Sequence, residues 1–202
     1  MIGSSWSHRV ARVAVRPLLG TWVRPNHLTA LRSLSGVAAC VCIALGTRSG
    51  LVWGGWIWLL SAFLDRADGE LARIGNMMSV AGHRFDYYAD NFVNAALFVS
   101  IGIGLRDSWL GSLAVPLGVV SGTSMFLIGV FAFALESRSP PGQKAYRGRW
   151  GFDPDDGMYL MTPFAWLDWF APILVGASVG TTLMMIITGI RLLRARRTPG
   201  AL

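Results

Sequence analysis

Four aspartates set at the ends of apolar runs limit what this chain can be. Asp65 and Asp68 stand near the end of one hydrophobic segment, and Asp86 and Asp90 near the start of the next. Charges at such positions in a membrane protein are costly and usually mark a site rather than a surface. The stretch DRADGELARIGNMMSVAGHRFDYYAD, Asp65 to Asp90, therefore reads as the active site of a membrane enzyme, with the rest of the chain as its holder.

Composition supplies the membrane. Of the 202 residues, 53% are hydrophobic and 14% charged, where soluble domains carry about 25% charged residues. The net charge of +7 taken alone could suggest a nucleic-acid partner. The basic residues instead cluster between apolar runs and at both ends, as topology signals do, so no nucleic acid is expected. Cys40 and Cys42 lie two apart in an apolar run and read as small buried hydrophobes rather than as a disulfide or metal pair. No signal peptide is expected, because Arg9, Arg12 and Arg16 interrupt any compact apolar region near the start.

Residues 5–19 place Trp6, Val10, Val13 and Ala14 at helical spacing among basic residues, which predicts an amphipathic helix on an anionic leaflet. A basic tail without structure is the other reading. Apolar segments follow at 27–45, 51–67, 79–105 and 108–135, and the second should run on into its aspartates to reach the roughly 20 residues a span needs. A polar loop occupies 136–156. Residues 157–190 are too many for one ordinary span, and Asp168 between Trp166 and Trp169 suggests a hairpin turn joining short fifth and sixth helices. One long kinked helix is the alternative.

The expected fold is thus all-α and integral to the membrane, with six transmembrane helices preceded by an N-terminal amphipathic surface helix. Residues 1–24 form the juxtamembrane part, 25–195 the six-helix membrane domain and 196–202 a basic cytoplasmic tail. With both ends in the cytoplasm, the outer turns hold only Arg48 and Arg106, and all four aspartates face the cytoplasm. The inner or plasma membrane of a prokaryote is the expected location.

Helical geometry puts Asp65, Asp68, Gly69 and Ala72 on one face, and Asp86 and Asp90 one turn apart on the next helix with Gly82 on the same face. In a hairpin, the four carboxylates would converge. Four such anions need cations to stay ionised together, and hard divalent metals with oxygen ligands, Mg²⁺ or Mn²⁺, are the most plausible. Gly69 and Gly82 serve close helix packing or let a phosphorylated ligand approach the backbone. Arg73 could pair with a phosphate, although alone it reads as a snorkelling arginine.

The pattern Asp65-x2-Asp68-Gly69-x2-Ala72-Arg73-x8-Gly82-x3-Asp86-x3-Asp90 resembles the signature of the CDP-alcohol phosphotransferases, with every fixed position filled. The resemblance implies two divalent cations among Asp65, Asp68, Asp86 and Asp90, and a CDP moiety held by Asp68, Gly69, Arg73 and Gly82. It also implies Asp90 as the general base that deprotonates the acceptor hydroxyl, and a homodimer. Pro25-Asn26-x-Leu28-Thr29-x2-Arg32 is similar to the start of phosphatidylglycerophosphate, cardiolipin and phosphatidylinositol synthases, which use CDP-diacylglycerol. A phosphatidyl transfer from CDP-diacylglycerol to a small polar alcohol of the glycerol 3-phosphate or inositol type is therefore the first expectation. A CDP-linked polar alcohol donating to a lipid acceptor is the second, and a cation transporter using the aspartates the third.

Arg32 is a candidate acceptor or phosphate contact, or else a snorkelling arginine; Arg84, Arg138, Lys144, Arg147 and Arg149 are candidate contacts of the same kind, or else charge on the cytoplasmic face. Asp153, Asp155 and Asp156 read first as caps for the fifth helix, and otherwise as groups that reach an acceptor amine or hydroxyl.

Overall fold

The computed structural model describes residues 6–138, 145–146 and 154–197. Seven α-helices cover most of them: α1 Trp6–Val15, α2 Pro25–Ala44, α3 Arg48–Ile74, α4 Val80–Gly104, α5 Ala114–Glu136, α6 Met161–Trp166 and α7 Phe170–Arg197. No strand occurs among the described residues. Three helical stretches are long and apolar enough to cross a membrane, Pro25–Ala44, Gly111–Glu136 and Phe170–Ala195. α3 and α4, of 27 and 25 residues, have the length but carry the charged motif.

Local sequence sets the boundaries. Pro25 opens α2 at its first turn, where a missing N–H costs nothing. The hydroxyl of Thr47 accepts from Gly50 N at 3.1 Å and that of Ser79 from Gly82 N at 3.0 Å, so each caps its helix. α3 does continue through Asp65 and Asp68, as span length demands. The chain breaks at Asp168, which takes a left-handed φ of 57° between Trp166 and Phe170.

The break falls where the flanking tryptophans put it, but the two halves are unequal. A 3₁₀ segment Pro154–Leu160 leads into the six-residue α6, whereas α7 runs for 28 residues, so the expectation of two short helices fails for the second. The short half is fixed to α3 by side chains: Trp58 Nε1 donates to Met158 O at 2.9 Å, Tyr159 Oη to Ala62 O at 2.9 Å, and Thr162 Oγ1 to Gly55 O at 3.2 Å. Asp156 is no cap. It is buried, accepts from Ser7 Oγ at 2.7 Å and pairs with Arg66 at 3.4 Å. Asp153 and the side chain of Asp155 lie outside the described residues, as do the side chains of Arg196 and Arg197 and residues 198–202 of the tail.

α2 packs along both α3 and α4, while α3 and α4, consecutive in the chain, make no extended contact with each other. The expected hairpin is therefore a splayed pair with α2 in the wedge. α5 covers the far side of α4 and carries α7, and α1 lies on α3. The main core joins Ile43 of α2, Trp58 of α3, Leu97 and Ile101 of α4 and Leu174 of α7. A smaller core of Val15, Ala67 and Leu71 seats α1. Cys40 and Cys42 are unbridged, and Cys40 is buried.

Glycine permits the closest approaches. A Cβ on Gly118 would stand 2.7 Å from Phe98 O and 2.9 Å from Gly102 Cα, so α4 and α5 meet backbone to backbone. Gly46 has φ +68°, and a Cβ there would lie 2.4 Å from Gly104 O. Gly118→Ala is expected to destabilise the protein by about 1–3 kcal/mol through overpacking. Gly176→Ala, which meets nothing within 4 Å, should be neutral or slightly stabilising. Thermal unfolding in detergent reads the difference; equal melting temperatures for the two variants would contradict this packing.

Candidate active site

All eight fixed positions of the motif, Asp65, Asp68, Gly69, Ala72, Arg73, Gly82, Asp86 and Asp90, line one cavity of about 690 Å³. It opens in the gap that the splay of α3 and α4 leaves. Gly69 has nothing within 4 Å of where a Cβ would project, so its missing side chain is open cavity rather than helix contact. Gly82 differs: a Cβ there would meet Ser79 Oγ at 2.9 Å and Asn26 Oδ1 at 3.3 Å, tying the start of α4 to that of α2.

α2 supplies the counter-charge. Arg32 is 3% exposed, and its guanidinium lies within Coulombic reach of all four aspartates. Its Nε sits 3.2 Å from Asp65 Oδ1, and its Nη2 donates to Asp90 Oδ1. One turn earlier, Thr29 Oγ1 donates to Asp68 Oδ2 at 2.6 Å. Asn94, one turn beyond Asp90, donates to Asp90 Oδ1 at 2.8 Å. The backbone oxygen of Arg32 in turn accepts from Ser61 Oγ of α3 at 2.9 Å, which fixes the wedge in register.

The carboxylates are not all satisfied. Asp68 Oδ1 and Asp86 Oδ1 are buried and have no hydrogen-bond partner. Orphaned oxygens of this kind are expensive unless something binds them. An all-oxygen donor set with two unused carboxylate oxygens fits a hard divalent cation. Among the described residues no three Asp, Glu, His or Cys side chains are already drawn together as a closed ligand cage; Arg32 stands among the four aspartates instead.

The other sequence candidates divide. Arg73 lines the cavity and pairs with Glu70. Arg32 lies against the carboxylates of Asp65 and Asp90. Arg84 and Arg138 are exposed and are not among the residues lining the cavity. Lys144, Arg147 and Arg149 lie outside the described residues. Arg66, Glu70 and Asn94 are not among the sequence candidates, and Thr29 is only part of the pattern opening α2. Asn94 carries a usable signal, since it follows Asp90 by one helical turn. Glu70 carries another, as a charge on a helix otherwise bound for the membrane.

An all-helical membrane bundle with an acidic cavity walled by one sequence motif defines the class. The family model for CDP-alcohol phosphatidyltransferase matches residues 22–194, and the chain belongs to that family of transferases. Among curated proteins it is 24% identical over 191 residues to the bifunctional IPC transferase and DIPP synthase of Aquifex aeolicus. That match takes in 90% of this chain but only 41% of the relative, so the chain spans less than half of that protein. Among solved structures it is similar to Mycobacterium tuberculosis phosphatidylinositol phosphate synthase with CDP-DAG bound. The TM-score is 0.63 at 19% identity, covering 98% of this chain and 96% of that one, a likeness of fold.

Gly69→Ala separates cavity from scaffold. The new methyl meets nothing, and replacing a helical glycine by alanine gains up to about 1 kcal/mol, so the melting temperature should hold or rise. Affinity for a cytidine-diphosphate donor should fall, measured by calorimetric titration. Unchanged affinity would remove Gly69 from the ligand wall.

Proposed function

We propose that this chain transfers a phosphatidyl group from CDP-diacylglycerol to a small polar alcohol of the glycerol 3-phosphate or inositol type, releasing CMP. The observation that carries the reading is the convergence of all eight motif positions on one cavity. The family match and the CDP-DAG held by the Mycobacterium synthase support the donor.

Asp65, Asp68, Asp86 and Asp90 would hold two divalent cations, Mg²⁺ or Mn²⁺, and Asp68, Gly69, Arg73 and Gly82 the CDP moiety. Such cations, when bound, neutralise the pyrophosphate and stabilise departing CMP. Asp90 takes the proton of the acceptor hydroxyl. The freed oxygen attacks the β-phosphorus, the bond from that phosphorus to the bridging oxygen breaks, and CMP leaves with the electron pair. Arg32 and Asn94, both on Asp90 Oδ1, hold the base at one angle to the attack line.

The same reading places α2 to α7 as six spans, with α6 and its 3₁₀ lead forming a short fifth, and α1 on the cytoplasmic leaflet of a prokaryotic membrane. Arg106 Nη1 donates to Ala44 O at 3.1 Å, so Arg48 and Arg106 share the end opposite the aspartates. The assembly carried over from the resemblance is a homodimer.

Purified protein with Mn²⁺, CDP-diacylglycerol and a panel of alcohols should release CMP, and a chelator should stop it. Asp90→Asn should lower turnover by about 10²–10⁴-fold while retaining most donor binding. Release of CMP only when a CDP-linked polar alcohol meets diacylglycerol would reverse the direction proposed. Release with no pair would overturn the reading.

A further inference from the structure

Two buried carboxylates outside the motif do the same thing in parallel. Glu70, on α3, is 0% exposed. It accepts from Arg12 Nε at 2.8 Å, lies 3.1 Å from His8 Nδ1, and pairs with Arg73. Asp156, in the 3₁₀ segment before α6, accepts from Ser7 Oγ at 2.7 Å and pairs with Arg66 at 3.4 Å. Each carboxylate therefore joins a side chain of α1 to an arginine that lines the cavity. His8 of α1 lines the cavity as well.

A surface anchor alone needs none of this. The apolar residues Val15, Ala67 and Leu71 already seat α1 on α3. A buried glutamate is tolerated only when paired, and its pairs lock long, flexible arginines into single geometries. An arginine held in advance loses less freedom when it grips a phosphate, and that saving appears as ligand affinity.

We propose that α1 is a wall of the donor site, and that Glu70 and Asp156 are positioning residues through which it holds Arg73 and Arg66 toward the donor's phosphates. The inference rests on the donor reading given above and extends it to a helix outside the motif. Arg12 and Ser7 touch no ligand; they act through the carboxylates. Loss of Arg12 releases one side of Glu70 and lets Arg73 swing with it. Loss of Ser7 does the same for Asp156 and Arg66.

The test uses the full chain in detergent with Mn²⁺, and reads CDP-diacylglycerol binding by calorimetric titration beside melting temperature. Arg12→Ala should weaken binding by about 3- to 30-fold, the range of one to two charge-assisted contacts, in protein that is still folded at the temperature of the titration. Arg12→Lys should recover part of the affinity, and Ser7→Ala should show a smaller loss in the same sense. Glu70→Gln should give the largest loss if it folds, and the Arg12 and Ser7 variants decide the matter if it does not. Wild-type affinity in Arg12→Ala and Ser7→Ala overturns the proposal, as does a lowered melting temperature with unchanged affinity. A wild-type chain that binds the donor without turning it over refutes the proposed reaction and leaves the positioning role standing. One that binds no CDP-diacylglycerol removes both.

Discussion

Arg32 is the contact on which the architecture depends. Four carboxylates held at one depth between two helices repel each other, and the repulsion grows where water is scarce. Inserting one guanidinium from a third helix answers that repulsion and sets the geometry. α3 and α4 are held apart because α2 stands between them; Ile43 anchors α2 in the apolar core, and at the site end Arg32 reaches Asp65 and Asp90 while Thr29 reaches Asp68. The cavity is the space this wedge leaves. Removing one member of a fully buried pair typically costs about 3–5 kcal/mol; Asp65 and Asp90 keep 21% and 35% of their side chains exposed, so the cost of losing Arg32 falls below that range.

The opposite end of the bundle is built by other means. Gly46 and Gly104 meet there backbone to backbone, and Arg106 closes over the end of α2. Lower down, Gly102 and Gly118 bring α5 against α4, while Tyr87 Oη donates to Gly129 O at 2.7 Å and Asn91 Nδ2 to Phe126 O at 2.9 Å. The bundle is thus tight where glycines line it and open where carboxylates do. Such a division suits a site that must admit a charged headgroup while its outer walls face lipid.

Much of this was legible because local rules govern it. The i, i+3 and i, i+4 spacing of Asp65, Asp68, Asp86 and Asp90 fixes their faces whatever the rest of the chain does. Asp168 between two tryptophans marks the break because its interruption of an apolar run is local too. What escaped the sequence depends on contacts far apart in the chain. Arg32 reads as a snorkelling or substrate arginine until α2 is known to lie between α3 and α4. Asp156 reads as a cap until Arg66 and Ser7 are found beside it. Glu70 meets His8 and Arg12 only through the docking of α1, which no periodicity in α3 announces. The unequal halves around Asp168 follow from Trp58, Tyr159 and Thr162 bonding the short half to α3, again across about a hundred residues.

These levels meet in one proposal: the wedge would present four carboxylates from α3 and α4 to a common set of metal ions on a CDP-linked donor. Two orphaned oxygens, on Asp68 and Asp86, are the part of the geometry that suits such ions. Diffraction from crystals grown with Mn²⁺ and CDP-diacylglycerol, collected at the manganese edge, tests it most directly. Anomalous peaks among Asp65, Asp68, Asp86 and Asp90, beside the donor's pyrophosphate, are the predicted result. Peaks elsewhere, or a donor bound with no metal at these carboxylates, would contradict the account.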